Sequence, residues 1–288
     1  MADIGPTAHY TGHVWARNGL SHPELATGEG RALYLAAAAP QIPVRLVGGP
    51  TIEDFLIARH TVIDAMLDDA IAEGRVGQVL EVACGMSPRG WRFTERHPDL
   101  IYVEADLPAM AATKRAALER IGRPDRHRVA DLDALRRNGP RSLRAVARTL
   151  DPDRGLAIIT EGLLSYLPRD PVLDLWQRFA ETISGFPDGE YLADLHVDAD
   201  TPALLTRGFE AALSAFVRSP VSVHFADEME AREALLAAGF THAEVDRAGS
   251  HPAAPSRPGA GLVRIVRAWG SPTATRRTRP APPPGRAR

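Results

Sequence analysis

Residues 79–87 read Val-Leu-Glu-Val-Ala-Cys-Gly-Met-Ser, and they predict a buried strand that runs into a tight turn. The apolar first half has the length of a buried strand, and small residues follow at Ala83, Gly85 and Ser87. Pro88 stands where a helix can begin, because the missing N–H of proline is not needed in the first turn. A strand, a small-residue turn and a helix let backbone N–H groups approach a ligand closely. The stretch therefore indicates a nucleotide-type site, with an ordinary strand-to-helix turn as the alternative.

The composition is that of a globular protein with one large domain or at most two. The 288 residues are 44% apolar, and 34 basic against 36 acidic side chains leave a net charge of −2. This balance gives no global basic field for nucleic acid. The single cysteine, Cys84, excludes an internal disulfide and a cysteine-based zinc cluster. Because no signal pattern and no membrane-length apolar run is visible, we expect a cytoplasmic protein with no metal, membrane or nucleic-acid partner.

From residue 76 onward, predicted strands and helices alternate, which is typical of a parallel sheet with right-handed crossovers. The predicted strands of this sheet cover residues 76–83, 100–105, 128–131, 156–160 and 191–196. The predicted helices cover residues 88–96, 108–121, 141–150, 171–184, 202–217 and 226–238. Two late strands, residues 242–247 and 262–269, are expected to close the sheet as an antiparallel pair. The predicted fold class is therefore α/β, with a mostly parallel sheet.

An amphipathic helix is predicted before the sheet, over residues 51–73. Thr51 is its expected N-cap, and Asp54 stands at the capping-box position. Arg59 falls on the apolar stripe of this helix, where an unpaired guanidinium would be expensive to desolvate. It forms a structural salt bridge, extends its charged end to solvent along its apolar stem, or binds a ligand carboxylate through two hydrogen bonds.

The segments outside the sheet differ in composition from the rest of the chain. Residues 1–50 carry an aromatic cluster, His9, Tyr10, His13 and Trp15, and only one short helix is predicted there, over residues 31–39. They form either an arm on the surface or a lid over a ligand. Residues 271–288 hold five Pro and five Arg, and we expect them to be disordered.

Acidic residues fall at or near the carboxyl ends of four predicted parallel strands. They are Glu81, Glu104, Asp106, Asp131 and Glu161. In an open α/β sheet ligands bind at that edge, and a carboxylate after the second strand typically takes ribose hydroxyls. Asp131 could accept a hydrogen bond from a base amine, and Glu161 could face a cation. The pattern predicts a nucleoside-type ligand with positive character, although a single such residue would be read as a helix N-cap.

Four segments in this order and spacing resemble the leucine carboxyl methyltransferase-like class I S-adenosylmethionine (SAM)-dependent methyltransferases. They are V-L-E-V-A-C-G-M-S-P-R-G-W-R-F (79–93), Y-V-E-A-D-L-P-A-M-A-A-T-K-R (102–115), A-D-L (130–132) and I-T-E-G-L-L-S-Y-L-P (159–168). Upstream, L-I-A-R-H-T-V-I-D (56–64) resembles the helix that carries a SAM-binding Arg in this family. The family includes phosphatase-methylating enzymes and bacterial O-methyltransferases of polyketide pathways.

The resemblance implies a Rossmann-like sheet with an N-terminal helical cap. Its expected boundaries are an arm and cap or lid over residues 1–72, a SAM-binding domain over residues 73–270, and the tail. It also implies a set of SAM-binding residues: Arg59, Ala83, Gly85, Glu104, Asp106, Asp131, Leu132 and Glu161.

Each of these residues takes a role from the resemblance. Arg59 would hold the methionine carboxylate, the backbone at Ala83 and Gly85 would meet the methionine portion, and Glu161 would lie near the amino group or sulfonium. Asp106, with Glu104 close by, would bind the ribose. Asp131 and Leu132 would frame the adenine.

Two positions depart from the family pattern. The family commonly has Gly where Ala83 stands and Asp where Ser87 stands. Ala83 is tolerated at little cost if its φ is negative, and Ser87 removes one carboxylate near the methionine end.

The expected function is a SAM-dependent O-methyltransferase that modifies a carboxylate or hydroxyl of a small molecule, such as a polyketide-type acceptor. A carboxylate needs no base, whereas a hydroxyl usually does. His196, with His224 behind it, is the candidate base, and each also reads as a structural histidine. Tyr166 is expected to line the acceptor pocket, and no residue is assigned as catalytic.

Two other functions stay open. One is a SAM-binding scaffold or sensor without catalysis. The other is a nicotinamide-dependent oxidoreductase, against which the missing Gly-x-Gly-x-x-Gly motif counts.

Overall fold

A seven-stranded sheet forms the centre of the molecule. The computed structural model describes residues 5–38, 41–42, 46, 48–198 and 222–270. The strands are β1 (Gln78–Val82), β2 (Ile101–Asp106), β3 (His127–Asp131), β4 (Leu156–Thr160), β5 (Gly189–Leu195), β6 (His242–Arg247) and β7 (Arg264–Trp269). Their order across the sheet is β3-β2-β1-β4-β5-β7-β6.

The first five strands run parallel, and β7 pairs antiparallel with both β5 and β6. The mostly parallel α/β sheet with an antiparallel edge pair is therefore confirmed. The ends of the strands differ from the predicted ends by at most two residues. Because β1, β2, β3 and β4 are parallel and in register, their carboxyl ends open on one edge.

The helices that flank the sheet also follow the predictions. The described helices are α1 (Gly5–Arg17), α2 (Gly28–Ala38), α3 (Ile52–Ala72), α4 (Arg89–Arg96), α5 (Pro108–Ile121), α6 (Leu143–Ala147), α7 (Arg169–Ile183) and α8 (Glu228–Ala237). The capping box of α3 is present, since the Asp54 N–H donates to Thr51 Oγ1 and the Thr51 N–H donates to Asp54 Oδ2. The predicted helix over 202–217 and the tail over 271–288 lie outside the described residues.

The two faces of the sheet pack against different helices. Successive side chains of a strand point to opposite faces, so Leu80 and Val82 join one core with Trp176 of α7. Val79 joins a second core with Ile63 of α3. Glu81 lies on the second face, in register with Glu104, and both carboxylates are therefore buried against helices. The alternation therefore explains why Glu81 and Glu104 share one face of the sheet.

The N-terminal segment is more regular than the sequence predicts. Besides a helix near residues 31–39, now α2, the structure has the thirteen-residue helix α1. Glycine and proline in α1 lower its intrinsic helix propensity, so local patterns do not reveal it. Tyr10, Val14 and Trp15 are buried against α3 and the rest of the second core, and this packing stabilises the helix.

None of the helices in the described ranges is both long and apolar enough to cross a membrane.

Candidate ligand-binding site

A cavity of about 380 Å³ opens at the carboxyl edge of the parallel strands. Segment 83–85 after β1, Asp106 and Leu107 after β2, segment 132–135 after β3 and segment 161–163 after β4 all line it. Helix α1 covers the cavity from the other side, where residues 5–9, Thr11 and Trp15 contribute to the lining. The site therefore joins four strand ends of the sheet to the N-terminal helix.

The turn after β1 has an unusual backbone. Ala83 has φ +56° and Gly85 has φ +50°, and Ala83 is the one non-glycine residue with positive φ in the described part of the chain. The expectation that Ala83 is tolerated without strain required a negative φ, and the structure does not meet that condition. The left-handed conformation costs an alanine about 1–2 kcal/mol. A Cβ at Gly85 would lie 2.9 Å from the Cβ of Ala8, so the turn also sets how closely α1 approaches.

Asp106 faces the cavity from the end of β2. Its Oδ2 accepts a hydrogen bond from the Gly85 N–H (2.7 Å), and its Oδ1 accepts one from the Leu107 N–H (2.7 Å). Burial raises the pKa of Asp106 above its usual 3.8, although both amide hydrogen bonds act in the opposite direction. A carboxylate oxygen can accept more than one hydrogen bond. Asp106 can therefore also accept hydrogen bonds from two neighbouring hydroxyls of a ligand.

Arg59 reaches the cavity from α3 and is held by two carboxylates. Its Nε donates to Glu161 Oε1 (3.1 Å), and its Nη1 donates to Asp194 Oδ2 (2.8 Å). Burial by itself lowers the pKa of Arg59, but Asp194 and Glu161 outweigh it and the pKa is raised. A Cβ at Gly162 would lie 2.8 Å from Arg59 Nη2. Arg59 thus forms structural salt bridges and also lines the cavity. A structural salt bridge and the binding of a ligand carboxylate are therefore compatible for this residue.

Glu161 lines the cavity, but its charge is already balanced within the protein. Its Oε1 accepts from Arg59, and its Oε2 accepts from Arg89 Nη2 (2.6 Å) and lies 2.9 Å from His60 Nδ1. Burial alone would raise the pKa of this carboxyl, yet His60, Arg89 and Arg59 hold it well below its usual range. Glu161 is therefore a permanent anion that anchors the cations around it.

Arg89 is a buried residue that the sequence analysis missed. Its side chain is fully buried, and Nε donates to Asp64 Oδ1 (2.6 Å) while Nη1 donates to Glu81 Oε1 (2.7 Å). The second oxygen of Glu81 accepts from the Tyr102 hydroxyl (2.8 Å). Glu81 consequently faces the interior and does not line the cavity, although the sequence pattern placed it among the acidic residues at the ligand-binding edge. An arginine directly after the turn, eight residues from Glu81, was the signal available in the sequence.

Two predicted site residues do not line the cavity. Glu104 is fully buried, paired with Lys114 Nζ (2.9 Å) and His127 Nε2 (2.9 Å). It stands two residues before Asp106, roughly 6–7 Å further from the edge, so the predicted ribose contact is wrong for Glu104. Asp131 is in register with Asp106, but it forms an ion pair with Arg115 on α5 instead. The Asp131 side chain therefore does not line the cavity in which its adenine contact was expected.

Segment 132–135 forms an apolar wall of the cavity. Leu132 lines it as predicted, and its N–H donates to the Asp106 carbonyl oxygen (2.7 Å). Asp133 and Leu135, which the sequence analysis did not select, line the cavity too. In the sequence Ala-Asp-Leu-Asp, the second acid follows the end of β3 and lines the cavity, whereas the first pairs with Arg115 on α5.

A smaller cavity adjoins the first. It shares Arg59, Gly162 and Tyr166 with the larger one and adds Phe55 and His196. The His196 Nδ1 lies 3.1 Å from the Leu262 carbonyl oxygen, which can only accept, so Nδ1 carries the proton. Burial lowers the pKa of His196.

The other candidate base lies elsewhere. The Nε2 of His224 lies 2.6 Å from the Leu167 carbonyl oxygen, and burial lowers the pKa of this histidine too. His224 is absent from the lining of both cavities, as far as the described ranges extend. Within those ranges, no group of three or more His, Cys, Asp or Glu side chains could hold a metal ion.

A match to a protein-family model covers most of the residues around the cavity. The model described as leucine carboxyl methyltransferase matches residues 24–180, which is more than half of the 288 residues. The chain belongs to the leucine carboxyl methyltransferase family. The match includes α3 with Arg59, the turn after β1, Asp106 and segment 161–163, and so spans most of the cavity lining. The family predicted from the four sequence segments is confirmed.

A curated relative and two solved structures are similar to this member of the leucine carboxyl methyltransferase family. A Mycolicibacterium gilvum protein named "Putative S-adenosyl-L-methionine-dependent methyltransferase" is 34% identical over 148 residues, which are 51% of this chain and 46% of that protein. The match thus spans about half the length of this relative.

The two solved structures have little sequence identity with this chain. A DUF574 family protein from Streptomyces avermitilis has a TM-score of 0.64 and 12% identity, covering 92% of this chain and 97% of that one. A Thermobifida fusca protein, described as a "putative methyltransferase", has a TM-score of 0.62 and 17% identity, covering 85% and 90%. At such identity these likenesses establish the fold alone, which is that expected from the family.

Proposed function

We propose that this chain is a SAM-dependent methyltransferase that binds SAM in the larger cavity. The observation that carries the proposal is that Asp106, Arg59 and segment 132–135 surround one cavity at the carboxyl edge of the sheet. Membership of the leucine carboxyl methyltransferase family supports the same activity. So does the name of the M. gilvum relative.

The residues around the cavity fit the parts of SAM. Asp106 would accept hydrogen bonds from both ribose hydroxyls, with Glu104 no longer involved. Leu132 and Leu135 would contact the adenine ring, and Asp133 would take the role first given to Asp131. The left-handed turn at Ala83 and Gly85 leaves the backbone free to approach the methionine portion.

The methionine end would meet the charged wall of the cavity. Arg59 would bind the carboxylate through Nη2, since Nε and Nη1 already donate to Glu161 and Asp194. Ser87, which is buried, supplies no carboxylate there. The amino group would therefore rely on backbone carbonyl groups and on the Glu161 carboxylate, which lines the cavity.

Bound SAM supplies a methyl group on a sulfonium, which an acceptor oxygen can take by in-line displacement. The chain would align the acceptor and exclude water, and such positioning can be worth on the order of 7–11 kcal/mol. The helices α1, α2 and α3 would act as the cap, because α1 already lines the cavity opposite the strand ends. This favours the lid over the surface arm for the N-terminal segment.

We further propose that the acceptor is a carboxylate or hydroxyl of a small molecule bound beside the wall of Arg59, Gly162 and Tyr166 that the two cavities share, because the smaller cavity, of about 30 Å³, does not hold such a molecule by itself. For a hydroxyl, His196 would be the base. A neutral ring protonated at Nδ1 has its acceptor lone pair on Nε2, and the lowered pKa of His196 favours this neutral form near pH 7. A carboxylate acceptor would not need His196 at all.

Binding of S-adenosylhomocysteine (SAH), measured by calorimetry, tests the cofactor assignment directly. We expect SAH to bind with one site per chain and NADH not to bind. Absence of SAH binding would overturn the assignment, and binding of NADH instead would favour the oxidoreductase. If SAH and SAM bind but no phenol or carboxylic acid in a panel is methylated, the scaffold alternative gains support.

The choice between the two acceptor classes is tested with His196→Gln. For a hydroxyl acceptor, loss of a general base is expected to lower kcat by about 10²–10⁴-fold, with SAH affinity unchanged. For a carboxylate acceptor, kcat is expected to stay near the wild-type value. His224→Gln, outside both cavities, is the matched control.

A further inference from the structure

The chain contains a single lysine, and it is buried. Of its 34 basic residues, 33 are arginine, and Lys114 on α5 is the exception. The side chain of Lys114 is completely buried, which is rare for lysine unless the ammonium is paired. Lysine takes the place of arginine at this one position, and its charge is buried. This combination indicates that the position specifically requires lysine.

The ammonium of Lys114 connects the interior of the sheet to the turn after β1. Nζ lies 2.9 Å from Glu104 Oε1, donates to the Ser87 carbonyl oxygen and lies 3.5 Å from the Gly85 carbonyl oxygen. The other oxygen of Glu104 pairs with His127. The three N–H groups of an ammonium therefore meet one carboxylate and two backbone carbonyl groups.

Gly85 is consequently held from two sides. Its N–H donates to Asp106, and its carbonyl group faces Lys114. Carbonyl groups of a buried turn need a donor, and Lys114 provides it for both Gly85 and Ser87. The turn contains the strained Ala83, so contacts from the interior are needed to hold this conformation.

The shape of the site explains why the residue is lysine. The first turn of α4 closes over the cluster, since a Cβ at Gly90 would lie 2.6 Å from His127 Nε2 and 2.9 Å from Glu104. A compact ammonium fits such an enclosed site, whereas the planar fork of a guanidinium is larger and directs its donors into one plane.

We propose that Lys114 is a positioning residue for SAM and that it makes no contact with SAM itself. This inference rests on the proposed function. Its ammonium, with Glu104 as counter-ion, holds the turn over residues 83–87 in the conformation that lines the cavity. The buried Glu104, first assigned to the ribose, therefore acts on the cofactor through Lys114 and the backbone.

The charges of the cluster agree with this role. Burial by itself lowers the pKa of Lys114, but Glu104, Cys84 and Glu81 outweigh it and the pKa is raised. The ammonium therefore stays protonated near neutral pH. Lys114 also opposes the burial that raises the pKa of Asp106, and it thereby favours the ionised carboxylate.

The test compares Lys114→Met with the double variant Lys114→Met/Glu104→Gln. The single variant leaves Glu104 short of a counter-ion and is expected to lose stability as well as SAH affinity. The double variant removes both charges and is expected to recover stability, while SAH affinity stays at least about tenfold below wild type. A purely structural role predicts that affinity recovers with stability, and that result would overturn the proposal.

Amide hydrogen exchange without ligand gives a readout that does not depend on SAM. In the double variant, exchange at Gly85 and Ser87 is expected to accelerate, while exchange within β4 stays as in wild type. Unchanged exchange at the turn would overturn the proposal even if affinity falls. If wild-type protein does not bind SAH, the proposed function fails, and this exchange experiment still decides whether Lys114 holds the turn.

Two further measurements do not depend on the folding of Lys114→Met or of the double variant. Wild-type protein labelled with ¹³C at the lysine ε-carbon gives one resonance, because there is one lysine. We expect SAH to shift it, and an unmoved resonance under saturating SAH contradicts the proposal. Lys114→Arg is expected to bind SAH more weakly than wild type does. Wild-type SAH affinity in that variant would contradict the requirement for an ammonium.

Discussion

The guanidinium of Arg59 is joined to Asp194, with Nη1 2.8 Å from Oδ2, although the two residues lie on α3 and β5, which are 135 positions apart in the chain. Asp194 uses its other oxygen to accept from the Gly162 N–H (2.6 Å). One carboxylate therefore fixes both the arginine that lines the cavity and the backbone beside it. The relationship links α3 to the carboxyl edge of the sheet.

Arg59→Met tests this tie. Removing one partner of a buried pair leaves carboxylates without their cation, and we expect a loss of about 3–5 kcal/mol in the free energy of unfolding. Adding Asp194→Asn removes an orphaned charge and keeps an oxygen for the Gly162 N–H, so part of the stability should return. Urea unfolding measures both effects. Arg59→Met with wild-type stability would contradict the pairing.

Asp106→Ala tests the ribose contact. The variant loses acceptors for two hydroxyls, and we expect SAH affinity to fall by more than about tenfold. Asp131→Ala is the matched control, because Asp131 ends the neighbouring strand in register with Asp106 but lies outside the cavity lining. Calorimetry should therefore give wild-type affinity for the control. If both substitutions lowered SAH affinity equally, the assignment of the ribose contact to Asp106 and not to Asp131 would be wrong.

Ala83→Gly tests the strain in the turn. The φ of +56° costs alanine about 1–2 kcal/mol, whereas the added flexibility of glycine in the unfolded chain costs roughly 0.5–1 kcal/mol. We expect a net gain in stability of up to about 1.5 kcal/mol, measured by urea unfolding. Gly85→Ala should act in the opposite direction, since its Cβ would meet Ala8 at 2.9 Å. A loss of stability in both variants would contradict the assignment of strain to Ala83.

The pH dependence of stability tests the charge balance at Glu161. Its pKa is lowered in the folded protein below the usual 4.5, so its contribution to stability is complete above that value. The contribution is lost as the pH falls toward the folded pKa. We expect Glu161→Gln to be less stable than wild type at about pH 6, with the difference shrinking toward about pH 3.

The raised pKa of Glu81 changes the stability with pH in the opposite direction. It does so equally in wild type and in Glu161→Gln, so it cancels in the difference between them. Glu244→Gln, at an exposed position on β6, is the control and should follow the wild-type profile. A stability difference for Glu161→Gln that does not change with pH would show that Glu161 is not held as a buried anion.

Local patterns in the sequence were sufficient for the sheet and for part of the site. Apolar runs of strand length and the alternation with helices predicted the strands to within two residues, because buried strands and amphipathic helices have different periods. Thr51 and Asp54 predicted the start of α3, since a capping box is formed by residues three positions apart. Asp106 was predicted at the ligand-binding edge because it directly follows the strand predicted over residues 100–105, and it lines the cavity.

Contacts between distant residues decided the rest. The sequence could not separate Glu104 from Asp106, because only the depth below the sheet edge makes one an interior ion pair with Lys114 and the other a lining residue. Arg89 has its carboxylate partners on α3, on β1 and after β4, and no local pattern brings these together. The helical state of α1 likewise depends on its burial against α3.

The sequence by itself therefore determined the strand order along the chain, the family and the edge of the sheet at which the cavity opens. The tertiary structure decided which carboxylates reach that edge, the left-handed backbone at Ala83 and the cover formed by α1. The physical reason is that periodicity and capping act over a few residues. Burial, ion pairing and backbone strain depend on neighbours that only folding brings into contact.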